Sequence, residues 1–295
     1  MFKIQNSKQK NSGQLFFYFA AAILLVILSG CAPEIKEPTR ICPGKQSLAE
    51  SLASLRSFSE NASPFRANGR CFMKYYAEGK KHRENFPVKL WVNPPAQICL
   101  QGDVAFNPKG IVLGSNEDEF WLAVKPKKIS SYWWGKWSDG GCLEEVMISP
   151  KTIVEALGIA AVDNDENWSL SNEGVFDVLT KRDGGTETQK IYIYSCDYRI
   201  RRIEYFGVDG QAATVTELDR YKEVSKEFFV PTLIKIVNRA EETIEESVSI
   251  TLWLRSVKSM NFTEKAQRRL FIRPAPHRFK RIFRIIDGEM IEEAQ

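Results

Sequence analysis

Val248-Ser249-Ile250-Thr251-Leu252-Trp253-Leu254-Arg255 decides how the chain folds. Val248, Ile250, Leu252 and Leu254 alternate with Ser249, Thr251, Trp253 and Arg255, and a period of two puts the aliphatic set on one face of a strand. The period recurs upstream. Val88, Leu90 and Val92 share a face against Lys89, Trp91 and Asn93, and Phe120, Leu122 and Val124 oppose Glu119, Trp121 and Ala123. Short runs at 65–76, 88–92, 98–101, 111–114, 120–124, 129–134, 168–170, 175–180, 190–196, 200–206, 214–221, 232–238 and 248–255 are broken by Gly, Pro, Asn or charge clusters. Asp183-Gly184-Gly185 and Asp209-Gly210 carry hairpin-turn chemistry.

Two helices interrupt the strands. Ser47-Leu48-Ala49-Glu50 is a capping box opening an amphipathic helix with Leu48, Leu52 and Leu55 on one face. Ser149-Pro150 starts a second, with Ser149 as cap; it runs through Ile153, Ala156 and Leu157 and stops at Gly158. A helix so short must lie on something apolar. The expected class is α+β: a single strongly curved antiparallel sheet, a half-barrel of about 11–12 strands, with a few short helices covering its concave face.

Composition agrees: 43% hydrophobic and 12% aromatic residues exclude disorder and collagen. Lys3, Lys8 and Lys10 stand in an acid-free stretch before residue 31, so the 41 basic residues fall to 38 against 37 acidic beyond it. That is no nucleic-acid footprint. Residues 1–30 read as an address, with three lysines ahead of an apolar run over 15–28 that is too short to span a bilayer. Leu28-Ser29-Gly30-Cys31 follows and resembles the lipobox of bacterial lipoproteins. That resemblance implies cleavage before Cys31 and acylation of its sulfur, palmitate being one such chain. With Ala32 next, it also implies an outer-membrane anchor facing the periplasm. The organisation expected is a signal peptide over 1–30, a Pro-rich tether over 31–45, the sheet domain over 46–275, and a basic-then-acidic tail over 276–295. The tail reads as packed or partly disordered ahead of a membrane-surface helix.

Five further cysteines (Cys42, Cys71, Cys99, Cys142, Cys196) show no C-x-x-C spacing, so no metal site is expected. Cys71 and Cys99, both in strands, either pair or stay as buried free thiols. No catalytic motif is present. His82 and His277 sit beside basic residues, and the pairs Glu144-Glu145 and Glu241-Glu242 read as solvated charge. The chain is not expected to be an enzyme and calls for no cofactor. Tyr132-Trp133-Trp134-Gly135-Lys136-Trp137 reads equally as core filler and as a carbohydrate- or lipid-binding surface, and adjacent Trp133 and Trp134 cannot both face inward.

Four places resemble the LolA/LolB superfamily of periplasmic lipoprotein-localisation and lipid-binding lipoproteins. They are Phe65-Arg66-Ala67-Asn68-Gly69-Arg70 after the first helix; Val88-Lys89-Leu90-Trp91-Val92-Asn93-Pro94-Pro95 with Asn116-Glu117-Asp118-Glu119-Phe120-Trp121-Leu122 and Lys125-Pro126; and the Pro-started helix. The fourth is Ile203-Glu204-Tyr205-Phe206-Gly207-Val208-Asp209-Gly210, then Tyr221, Phe229-Val230-Pro231-Thr232-Leu233-Ile234-Lys235-Ile236, Ser249-Ile250-Thr251-Leu252 and Met260-Asn261-Phe262. The resemblance implies a half-barrel whose apolar hollow binds acyl chains of lipids or lipoproteins. The cavity arginine of shuttle-type members and the protruding apolar loop of the membrane-bound acceptor have no placed counterpart. The expected lining is Val88, Leu90, Phe120, Leu122, Ile234, Ile236, Ile250 and Leu252, with Ile153 and Leu157 on a lid. The alternative is a non-catalytic structural or regulatory envelope lipoprotein that holds a protein partner on the same scaffold.

Overall fold

The computed structural model describes residues 33–77, 80–104, 107–126, 130–139, 150–159, 167–207, 209–239, 247–277 and 279–293. Cys31, the apolar run 15–28, Ile129, Cys142, Ser149 and both adjacent acidic pairs lie outside them. The chain divides into two units, Met1–Glu34 and Ile35–Gln295. Of the first, Pro33 and Glu34 are described and have no regular structure; all that follows concerns the second.

Three helices and fifteen strands occur among the described residues. In chain order these are α1 (Leu48–Glu60), β1 (Phe65–Ala77), β2 (Lys80–Asn93), β3 (Gln97–Val104), β4 (Asn107–Ser115), β5 (Glu119–Val124), β6 (Ser131–Lys136), α2 (Pro150–Ala156), β7 (Trp168–Glu173) and β8 (Phe176–Asp183). After them come β9 (Thr186–Tyr194), β10 (Arg199–Phe206), β11 (Ala212–Ser225), β12 (Phe228–Asn238), β13 (Val248–Ser259), α3 (Glu264–Leu270), β14 (Arg281–Ile286) and β15 (Glu289–Glu292). All strands belong to one open sheet ordered β15-β14-β6-β5-β4-β3-β2-β1-β13-β12-β11-β10-β9-β8-β7.

This corrects two expectations. The tail adds two strands to a sheet already larger than about a dozen, and β14 runs parallel to β6, so the sheet is not wholly antiparallel. Strand β14 within the tail misleads because it buries side chains on both faces. Ile282 and Phe279 join Trp121, Ala123 and Tyr132 on one side, while Ile285 joins the main core on the other. A strand buried on both faces loses its period-two alternation.

Register defines the faces. One row runs Leu170, Leu179, Ile191, Ile203, Thr216, Ile236, Ile250, Met73 across β7–β13 and β1. Another runs Val257, Ala67, Leu90, Leu100, Leu113, Leu122, Trp133, Phe283 across β13, β1–β6 and β14. Helix α1 covers the β7–β10 end of this apolar face, where Leu52 and Leu55 pack with Trp168, Leu179, Ile191, Ile193 and Ile203. Its start is fixed as expected, with Ser47 Oγ accepting from the Glu50 amide at 3.3 Å. The Glu50 carboxylate accepts in turn from the Gln46 amide at 3.1 Å. Helix α3 lies on the opposite face, where Leu270 and Phe271 pack on Trp91 and Cys99.

Cys71 and Cys99 do not pair. Strand β2 separates β1 from β3, and Cys71 faces the main core whereas Cys99 faces α3. Both are free and buried. Burial pushes the Cys71 thiol up to about 12 and the Cys99 thiol up to about 11. The disulfide is Cys42–Cys196, which fastens the segment before α1 to the β9–β10 turn. The same segment is held at Asp177, buried on β8, whose Oδ2 accepts from the Lys45 amide at 2.7 Å and whose Oδ1 accepts from Asn172 Nδ2 at 2.7 Å. Gly44 passes so close that a Cβ there would sit 2.0 Å from Asp177 Oδ1.

Candidate functional site

The ten apolar residues singled out from the sequence come together. Val88, Leu90, Phe120, Leu122, Ile153, Leu157, Ile234, Ile236, Ile250 and Leu252 all belong to one core cluster. None exposes more than 4% of its surface. Leu90 and Leu122 occupy one register row, Ile236 and Ile250 the next described row, and Ile234 pairs with Leu252. Helix α2 supplies Ile153 and Val154, followed by Leu157 and Ile159, at spacings that keep one side apolar. It ends at Gly158, whose φ of +69° is open to glycine and strained for other residues. The helix lies against both β4 and β11, which stand six ladders apart in the sheet.

A polar feature that sequence reasoning missed holds α2 in place. Glu155 is half-buried, with 18% of its side chain exposed, and its carboxylate accepts hydrogen bonds from the Tyr205 hydroxyl on β10 and from Gln189 Nε2 on β9 at 3.3 Å. Lys151 Nζ, one turn earlier, stands 3.9 Å away. Desolvation raises the Glu155 carboxyl above its ordinary value, against the lowering effects of Lys151, Tyr205, Gln189 and Lys181.

The aromatic run is divided between the faces. Trp133 stacks on Phe283 at 5.7 Å, and Trp137 packs on Phe120 at 4.8 Å while donating Nε1–H to the Asn116 carbonyl. Tyr132 and Trp134 face the other way. Tyr132 donates to the Pro274 carbonyl at 2.8 Å, and Arg273 lies 4.0 Å over the Trp134 ring. These rings are half-buried or buried and form no exposed patch. Of the two histidines, His82 stacks on Tyr75 at 5.1 Å and His277 is exposed. A separate crevice of about 30 Å³ lies between residues 35–38 and Phe176, Arg201, Arg202, Glu217 and Leu218. It holds a water at most.

No family model and no curated protein matches the chain. Solved structures do. A LolA superfamily protein from Nitrosomonas europaea is 11% identical, covering 74% of this chain and 95% of its own, with a TM-score of 0.47. A putative outer membrane lipoprotein-sorting protein domain from Vibrio parahaemolyticus is 12% identical, covering 73% and 94%, with a TM-score of 0.49. A DUF1329 family protein from Desulfovibrio piger is 12% identical, covering 74% and 95%, with a TM-score of 0.46. At these identities the likeness is one of fold alone.

Proposed function

We propose that this chain is a bacterial envelope lipoprotein, anchored to the outer membrane through acylated Cys31, that takes an acyl chain of a lipid or lipoprotein onto its apolar sheet face beneath α2. The carrying observation is the gathering of eight predicted apolar side chains of the sheet into one cluster with Ile153 and Leu157 of a helical segment held by a half-buried carboxylate. A curved wall is supported by where α2 lies. Six ladder spacings of about 4.8 Å would separate β4 from β11 by roughly 29 Å in a flat sheet, yet a helix about 10 Å long meets both. The sheet wrapped around the helix is the half-barrel, with α2 and α1 on its concave side.

Such a site needs no catalytic residue and no cofactor, because binding is burial. An acyl chain of about 16 methylenes gains on the order of 10 kcal/mol on leaving water. Ile153, Val154, Leu157 and Ile159 contribute roughly 6–12 kcal/mol by the same measure, at about 1.5–3 kcal/mol each. Guest and helix are therefore near-equal competitors for one surface, and the guest enters as α2 lifts.

The test is native mass spectrometry of the full chain purified from membranes, with titration of a fluorescent fatty acid. Co-purified lipid or saturable uptake is expected. Protein free of lipid that also takes up no fatty acid overturns acyl binding and leaves a scaffold for a protein partner. The anchor has its own test: radiolabelled palmitate is expected in the intact chain and absent from Cys31→Ser, and equal labelling overturns it.

A further inference from the structure

The near-balance of charge beyond residue 30 conceals a one-sided distribution. On β13, β1 and β2, the side chains facing away from the apolar core include Arg66, Arg70, Lys74, Arg83, Lys89 and Lys258. Register sets Arg66 directly between Lys258 and Trp91, Asn68 beside Lys89, and Lys74 opposite Arg83. Among the described residues of these three strands no aspartate or glutamate shares that face; Glu84 pairs with Met73 and lies on the other side. All six cations are exposed except Arg70, which is half-buried and bonded to Asn85. Helix α3 extends the patch, because it packs on Trp91 and leaves Lys265, Arg268 and Arg269 exposed. Among the described residues Arg268 alone of these three has an ion-pair partner, Glu264 at 3.7 Å, itself exposed.

Like charges directly opposite on neighbouring strands are destabilising. Lys74 opposite Arg83 therefore disfavours the free sheet, and a layer of negative charge laid over the face relieves it. Half-buried Trp91, Phe72 and Trp253 lie among the cations, and amphipathic rings interleaved with lysine and arginine are the composition that settles at a membrane–water interface.

We propose that this outer face of β13-β1-β2, with α3, docks on the anionic headgroups of a phospholipid bilayer. The attraction is electrostatic, and it is separate from acyl binding on the opposite face. Each cation near such a surface contributes about a fivefold gain in partition.

The experiment uses the full chain in a nonionic detergent, mixed with nanodiscs of phosphatidylcholine alone or of phosphatidylcholine with phosphatidylglycerol. The N-terminal apolar run acts alike on both, and Lys3, Lys8 and Lys10 ahead of it are common to the parent chain and its variants, so the comparison among variants isolates the charged face. Binding is expected to favour the phosphatidylglycerol discs and to fade as salt rises. The triple variant Arg66→Gln/Lys89→Gln/Lys258→Gln is expected to lose about a hundredfold of that preference. Lys36→Gln/Lys125→Gln/Lys136→Gln removes equal charge elsewhere and is expected to keep it. Circular dichroism confirms that both variants are folded. Equal binding to the two lipids or equal loss in both triple variants overturns the assignment.

Discussion

Tyr205→Phe probes the latch directly. The substitution removes one hydroxyl and leaves the ring that packs beside the Ile203–Leu179 cluster. It takes from Glu155 one of the two hydrogen bonds that cross from α2 to the sheet. A hydrogen bond to a charged group contributes about 1.5–3 kcal/mol, and here the half-buried acceptor is left one donor short. Taking about 2 kcal/mol, the fraction of molecules with α2 lifted rises roughly 30-fold. If the guest enters only the lifted form, stopped-flow uptake of a fluorescent fatty acid accelerates by that factor, and the apparent Kd falls by the same amount. Glu155→Gln is the matched control: its amide oxygen still accepts from Tyr205, and no charge is buried, so the helix stays seated and uptake is not accelerated. Uptake unchanged in Tyr205→Phe, despite a lowered thermal midpoint, would refute α2 as the gate.

Three further outcomes follow. The Glu155 carboxyl is raised by burial, so the closed form binds more protons than the lifted or unfolded form in the range just above the ordinary value of 4.5. Stability therefore falls and uptake quickens as pH rises through that range, and Glu155→Gln is expected to flatten both profiles in urea titrations and uptake assays. Reducing Cys42–Cys196 releases a cross-link spanning 154 residues, worth up to about 5 kcal/mol of unfolded-chain entropy; the urea midpoint drops accordingly, and an unmoved midpoint contradicts the strap. Cys71 and Cys99 are expected to resist maleimide in the native protein and to react on unfolding, as read by mass spectrometry of their peptides; native labelling of either contradicts its buried position.

Much of the core was legible because period two is a local property. Ile250 and Leu252 announce their face within one strand, and the same holds for Leu90 and Leu122. Cys99 also declared its side, lying between Ile98 and Leu100 and so on the face of Gln97 and Gln101. Cys71, between Arg70 and Phe72, gave no such sign, and its distance from Cys99 depends on β2 lying between their strands. Strand order is a long-range outcome: β1 pairs with β2 and with β13, far away in sequence, and no local pattern encodes the second partner. The latch was hidden for the same reason. Lys151 and Glu155 four apart on a helix resemble an ordinary solvated pair. Only the arrival of β9 and β10 with Gln189 and Tyr205 turns that carboxylate into a half-buried fastening.

The two proposed surfaces are linked by the pleat that makes them. Along β1 and β2 every second residue enters the apolar cluster and its neighbour enters the cationic face, so Leu90 sits between Lys89 and Trp91, and Ala67 between Arg66 and Asn68. A one-residue slip of β2 against β1 would exchange the faces wholesale, burying Lys89 and exposing Leu90. The other edge of β1, against β13, shifts register at Gly69. This glycine sits at the bulge against β13, where a Cβ would come within 2.1 Å of the Trp253 carbonyl oxygen. Gly69→Ala therefore strains the β1–β13 register and disturbs both surfaces together. It is expected to lower fatty-acid uptake and phosphatidylglycerol preference in the same protein, whereas Tyr205→Phe moves the first alone and Arg66→Gln/Lys89→Gln/Lys258→Gln the second alone. Loss of only one function in Gly69→Ala would mean that the faces are not coupled through this strand.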